Sequence, residues 1–324
     1  MPMIKLTRRT LVLGAAAMPF AAEAQTTSSN ILKFIVPFPP GGTADPIARM
    51  VQAGLQQRLG TTVVIENRPG ASGSIGTAAA AKSPPDGNTL VIVFDTHAVN
   101  PFLQTLPFNT ETDLDPVLFI GTAPNVFATN PARPYQTFAD VIAAAKAKPD
   151  TITYGSIGNG SLGHLTGVLL GERAGVRMVH VPYRGGGPLM NDAIANHIDL
   201  MVGSAALVTP QIAGDRLRGL LQTGGTRIPG LPNVATAIEA GFAGFESYAW
   251  WGIYTAPHTP APIVERLSKA FAETLREPNV AQTITEKMQI TLRIEGPEVL
   301  RQFVSDQMKL WGKVVREHNI KGDA

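Results

Sequence analysis

The chain contains no cysteine. That removes disulfide staples, thiolate nucleophiles and cysteine-ligated metals, so the core has to hold by apolar burial alone. Six histidines are present, at 97, 164, 180, 197, 258 and 318. None pairs at H-x-x-x-H spacing, so no metal is expected. There is no G-x-x-x-x-G-K-[ST] phosphate loop and no G-x-S-x-G nucleophile elbow, which leaves no sequence pattern for P-loop or esterase chemistry. No heptad run or 20–50-residue repeat is detectable, and no stretch beyond the N-terminal region reads as a membrane span.

What is present begins with an export signature. "KLTRRTLVLGAAAMPFAAEAQ" joins a basic start to a short apolar run and ends in Ala22-Glu23-Ala24, a signal-peptidase pattern. Thr7-Arg8-Arg9 followed by an apolar run fits a twin-arginine signal, with an ordinary Sec signal as the alternative. Lys5, Arg8 and Arg9 against Glu23 account for the whole formal charge of +2. The mature chain is therefore near neutral, with no excess positive charge for nucleic acid or membrane. Residues 1–24 are expected to be removed, leaving a periplasmic protein.

The full chain of 324 residues is 44% hydrophobic, enough for about two domains. Short apolar runs alternate with helical patterns. "LKFIVPF", "TVVIEN" and "TLVIVFD" read as buried strands, separated by helices over Ile47–Leu59 and "GSIGTAAAAKS". That order implies an α/β fold with a mostly parallel sheet. A second α/β series follows, through "ITYGSI", "RMVHVPY" and "IDLMVGS". Two long extended runs, near 115–130 and 245–257, read as crossings between two domains. The last third is helical around a short strand, "TLRIE". The expected division is 25–125 plus 250–324 as one domain and 126–249 as the other, with a cleft between them.

Glycine-rich turns recur where strands give way to helices: "PFPPGGTAD", "NRPGASGS", "GSIGNGS" and "YRGGG". Each could be a tight turn only. Glycine also lets backbone N–H groups approach a ligand, and the following helix adds unpaired N–H groups and a positive dipole end. Four such turns in equivalent places favour an anion site built mostly of backbone. "GNGSLG" is a formal G-x-G-x-x-G, but the next strand ends in Val181-Pro182-Tyr183-Arg184 without the acid a dinucleotide site wants. No cofactor is expected.

Individual residues carry two readings each. Asp45-Pro46 fits a helix N-cap followed by the first helical position, or Asp45 presents its carboxylate to a ligand. Arg49 reads as a solvated face. His164 either bonds within its loop or meets ligand, whereas His180, alternating with apolar neighbours, reads as a satisfied core residue. Arg184 is a candidate clamp for a carboxylate or a surface ion-pair partner. Trp250 and Trp251 read as packing at a crossing.

"VPFPPGGTADPIAR", "VVIENRPGASGSIG", "YGSIGNGSLGHL", "VPYRGGGPLMNDAIANHIDLMVGS" and "GLPNVATAIEAGF" together resemble the periplasmic Bug receptors, the TctC-like solute-binding proteins of tripartite tricarboxylate transport. The resemblance runs in order over nearly the whole mature chain. It implies two Rossmann-like α/β domains of periplasmic-binding-protein architecture, closing on a small carboxylate without catalysis. By motif, it places ligand contacts at Phe38, Gly42, Thr43, Ala44, Asp45, Ser72, Thr96 and His97 in the first domain. In the second domain it places them at Ser156, Asn159, Ser161, His164, Arg184 and Ser204. The family often has Lys after "VPY"; Arg184 offers a planar fork instead. The expected partners are a di-, tri- or aromatic carboxylate, or an acidic amino acid-like ligand, and membrane transporter subunits or a sensor protein. The expected state is a monomer. A sensor-input receptor, or an exported enzyme using the same cleft, stays open on these residues.

Overall fold

A computed structural model describes residues 31–322 of the chain. The expected export segment, residues 1–24, lies outside the described residues.

The first three strands are β1 (Ile31–Val36), β2 (Thr62–Asn67) and β3 (Thr89–Phe94). They pair in parallel, in the order β2-β1-β3. Between them run α1 (Ala44–Leu59) and α2 (Ser74–Ala81), and β3 leads into the short α3 (Thr96–Val99). α1 forms because its apolar residues recur at helical spacing. Ile47, Val51, Leu55 and Leu59 are all buried, each contributing roughly 1.5–3 kcal/mol of apolar burial. It ends at Gly60, whose left-handed φ of 64° terminates the helix.

A 15-residue strand, β4 (Asp115–Thr129), follows. Beyond it lie α4 (Phe138–Ala147), β5 (Thr153–Ser156), α5 (Leu162–Ala174), β6 (Val179–Pro182), α6 (Gly186–Ile194), β7 (Leu200–Ser204), α7 (Ala205–Ala213) and β8 (Arg218–Gln222). β5 pairs in parallel with both β6 and β7. The chain returns through β9 (Tyr248–Thr255), then α8 (Ala261–Leu275), α9 (Pro278–Gln282), β10 (Thr291–Glu295) and α10 (Pro297–Glu317). "VAQTITEKM" is not one helix, because α9 gives way to a π turn over Thr283–Lys287.

The sheet differs from the mostly parallel one expected. All ten strands connect along β2-β1-β3-β9-β4-β7-β5-β6, with β8 and β10 both on β4. β9 pairs antiparallel with β3 and with β4, and β4 pairs antiparallel with β7 and β8. The two runs read as crossings are therefore the central strands of a mixed sheet. β4 changes partners along its length: residues 115–124 face β9, and from Asn125 onward it faces β7 and β8. The C-terminal helices pack back on earlier elements, α8 against α1 and α10 against α3 and β4.

The tryptophans mark this centre. Trp250 and Trp251 are fully buried on β9. Trp251 leans on Phe94, and its indole N–H donates to Thr43 Oγ1 at 3.2 Å.

Candidate functional site

The turn after β1 and the turn after β6 meet backbone to backbone. A Cβ on Gly186 would stand 3.1 Å from Gly42 Cα, and one on Gly187 would stand 3.0 Å from the Pro40 carbonyl. A side chain at either position would push the loops apart, so glycine here serves close approach rather than turning. The turns after β2 and β5 meet in the same way, where a Cβ on Gly158 would stand 2.9 Å from Ser72 Oγ. The Ser72 hydroxyl also lies 3.5 Å from the Asn159 carbonyl.

The loop after β2 is strained. Gly70, Ala71, Ser72 and Gly73 all have positive φ, 45° and 51° at the two non-glycine residues. Such conformations cost about 1–3 kcal/mol each unless the surroundings fix them. Here Asn100 Nδ2 donates to the Ser72 carbonyl and Gln104 Nε2 to that of Ala71.

Two adjoining cavities lie under these contacts, with Phe38 and Ile157 walling both. The inner one, about 30 Å³, is bounded by Gly42, Thr43 and Ala44 at the start of α1, Gly163 in the first turn of α5, Gly186 at the start of α6, and Ser204 just before α7. Four helices therefore begin around one small space. Each brings up to four N–H groups without helical partners and the positive end of its dipole. The outer cavity, about 430 Å³, is lined by the 70–73 loop, Gly158 and Pro182–Arg184. Backbone donors in an inner pocket, with a roomier outer chamber, suit a small anion with an organic body.

Residues 47–320 match the family described as the tripartite tricarboxylate transporter family receptor. The chain belongs to this family. Three solved structures share its fold. The periplasmic binding protein BugD is 28% identical, with a TM-score of 0.85 over 90% of this chain and 99% of its own. An R. palustris protein solved with adipate is 30% identical, with a TM-score of 0.85 over 90% and 98%. MatC of Rhodopseudomonas palustris, solved with bound malate, is 26% identical, with a TM-score of 0.82 over 88% and 98%. The receptor thus has the α/β periplasmic-binding-protein fold expected from its motifs.

The receptor brings many of the expected residues to these cavities. Phe38, Gly42, Thr43, Ala44 and Ser204 line the inner one, and Phe38, Ser72 and Arg184 line the outer. Arg184 is exposed and, among the described residues, makes no ion pair. Thr96 and His97 border a separate space of about 10 Å³ beside Phe38 and Ser72. His97 stacks on Phe108, and burial pushes it down to about 4.

Asp45 corrects an expectation. α1 begins at Ala44, so Thr43 holds the N-cap position and Asp45 is the second helical residue. Its carboxylate accepts from Arg49 Nε at 2.9 Å, Arg49 Nη2 at 3.0 Å and Asn67 Nδ2 at 2.9 Å. Burial pushes this carboxyl upward, but those hydrogen bonds outweigh it and hold it below the ordinary range. Asp45 fastens α1 to β2 and does not line either cavity. Arg49 is exposed, as its solvated-face reading expects, and pairs with Asp45 from there.

The residues expected after β5 hold their own loop in place. Ser161 caps α5 by accepting from the His164 N–H, and its hydroxyl lies 2.9 Å from the Gly158 carbonyl. His164 Nδ1 accepts from the Gly160 N–H at 3.1 Å. Ser156 Oγ sits 2.7 Å from His180 Nε2 and 3.0 Å from the Gly158 carbonyl. His180 is thus satisfied, as expected. These side chains shape the turn whose backbone faces the cavities.

Sequence reasoning missed Asp95. It stands at the end of β3, is 2% exposed and lines the inner cavity. Its carboxylate accepts from the Leu162 N–H at 3.4 Å and from the Thr96 N–H, and burial raises it to about 8. The signal was an acid ending an otherwise apolar strand, at the carboxyl edge where open α/β sheets bind ligands.

Proposed function

We infer that this receptor captures a small organic carboxylate between the two halves of its sheet, outside the cytoplasm, and delivers it to membrane subunits of a tripartite transporter without chemical change. The observation that carries the reading is the convergence of four helix starts on one inner cavity. The positive dipole ends of those helices, with backbone N–H groups that have no partner within the helix, favour a carboxylate there. The adipate- and malate-bound relatives support the same ligand class. BugD, described as periplasmic, and the N-terminal export signature support the location.

In this reading the carboxylate meets the backbone around Gly42–Ala44, Gly163, Gly186 and Ser204, and the ligand body extends past Ser72 towards Arg184. Of the described residues, those up to 125 together with those from 250 onward form one closing half, and 126–249 the other. The glycine contacts between the turns then belong to the closed form.

A thermal-shift screen over mono-, di- and tricarboxylates and amino acids tests this. A cognate acid raises the melting temperature, because selective binding to the folded state adds RT ln(1 + [L]/Kd). If no acid shifts it while one is converted to product, the receptor reading fails.

A further inference from the structure

An acid in an anion cradle needs explanation. Asp95 projects from the end of β3 into the inner cavity, 2% exposed, where the surrounding helix starts favour negative charge on a ligand. Its partners are the backbone N–H groups of Leu162 and Thr96; among the described residues no cation pairs with it. Ionising a buried carboxyl without a cation is costly, so Asp95 rests protonated, and a second carboxylate brought beside it keeps it so. A plain carboxylate entering this cavity therefore gains no ion pair from Asp95. A ligand carrying an ammonium group beside its carboxylate does: the carboxylate takes the helix N–H groups, Asp95 gives up its proton to solvent, and the ammonium pairs with the Asp95 carboxylate.

Resting on the carboxylate-receptor reading, we propose that Asp95 is the specificity-determining residue of the inner cavity and that it selects amino carboxylates over plain carboxylates of the same length. The Asp95 side chain supplies the acceptor for the ligand ammonium. The outer cavity accommodates the rest of the ligand, with Arg184 at its wall. Burial pushes this carboxyl up to about 8 against the opposing Leu162 and Thr96 N–H groups, and an ammonium beside it would draw it back down.

The test uses matched acids that differ only by the amine: succinate with aspartate, glutarate with glutamate, adipate with 2-aminoadipate. Calorimetric titrations are run on the purified protein and on Asp95→Asn. The expected result is at least one pair in which the amino acid binds tenfold or more tightly. Asp95→Asn, which keeps the shape but not the charge, is expected to lose that preference without weakening the plain acid. Equal or tighter binding of the plain acids by the unaltered protein overturns the proposal and leaves the receptor reading standing. A preference that survives Asp95→Asn also overturns it. Binding of no acid in any pair overturns this inference, and the receptor reading falls with it only if the thermal-shift screen over mono- and tricarboxylates is blank as well. The preference ratio of the unaltered protein decides the matter even if the variant folds poorly.

Discussion

His164 and His180 stack face to face, their ring centroids 3.8 Å apart and their planes 6° from parallel. Burial pushes His164 down to about 4. It pushes His180 down to about 3, with repulsion from His164 adding to the effect. His97 is likewise held near 4 by burial. An unfolded chain binds protons on these rings near 6.5, so below that pH the unfolded state holds more protons than the folded one. The stability they confer is complete above about 6.5 and is lost as the pH falls towards 4. Unfolding free energies from urea titrations between pH 7 and 4 should therefore drop steeply, by up to about 1.4 kcal/mol per pH unit for each histidine. His180→Asn should make the drop shallower; the same slope in that variant refutes the assignment.

Asp95 works in the opposite direction. Its folded value of about 8 lies above the ordinary 3.8, so the folded state holds the extra proton between those limits. That contribution is complete below about 3.8 and is lost as the pH rises through 8. Above about pH 7.5, where the unfolded-state histidines are already neutral, stability of the ligand-free protein should decline until the pH has passed 8. Asp95→Asn should level this limb in the same urea series, and a decline that persists in the variant counts against the buried acid.

Closure depends on Gly186. A Cβ there would meet Gly42 Cα at 3.1 Å and the Leu207 methyls at 3.1 and 3.2 Å. Gly186→Val should hold the two turns apart and weaken ligand binding by about tenfold or more, equivalent to about 1.4 kcal/mol. Gly296→Ala, where nothing lies within 4 Å, is the control and should bind normally. Equal affinity of the two variants in a calorimetric titration removes the turn contact from the binding step.

Arg184 lines the outer cavity and, among the described residues, makes no ion pair. Arg184→Ala should cost a ligand with a distal acid group about 1.5–3 kcal/mol, the worth of a hydrogen bond to a charged group. A ligand without that group should lose little. Competition titrations with both kinds measure the difference, and equal losses refute a distal clamp.

Local patterns made much of the fold legible. The apolar spacing of Ile47, Val51 and Leu55 and the stop at Gly60 gave α1, and the alternation of apolar runs gave the α/β class. α7 was not seen, because Pro210 inside it reads as a breaker. The central antiparallel pair was not seen either: β4 and β9 lie more than a hundred residues apart, and an extended run does not announce its partner. The same limit governed the site. Glycine turns mark exposed backbone locally, which is why Gly42, Thr43, Ala44 and Ser204, all lining the inner cavity, could be proposed from the chain alone. Asp45 was misplaced because Asn67, its partner 22 residues on, arrives only through tertiary packing. Asp95 passed as the end of a strand, since only the fold shows which chain ends share a cavity.

The main-chain contact between Gly42 and Gly186 separates two jobs within the protein. The parts that meet on closing are peptide groups, which are the same in every sequence and carry no information about the solute. Discrimination falls instead to a few side chains, Asp95 and Arg184 foremost. The solute accepted can therefore be exchanged by altering those few positions, while the machinery that shuts around it is left untouched. A designer wishing to retune this scaffold should leave its glycines alone and edit the acids and bases that look into the cavities.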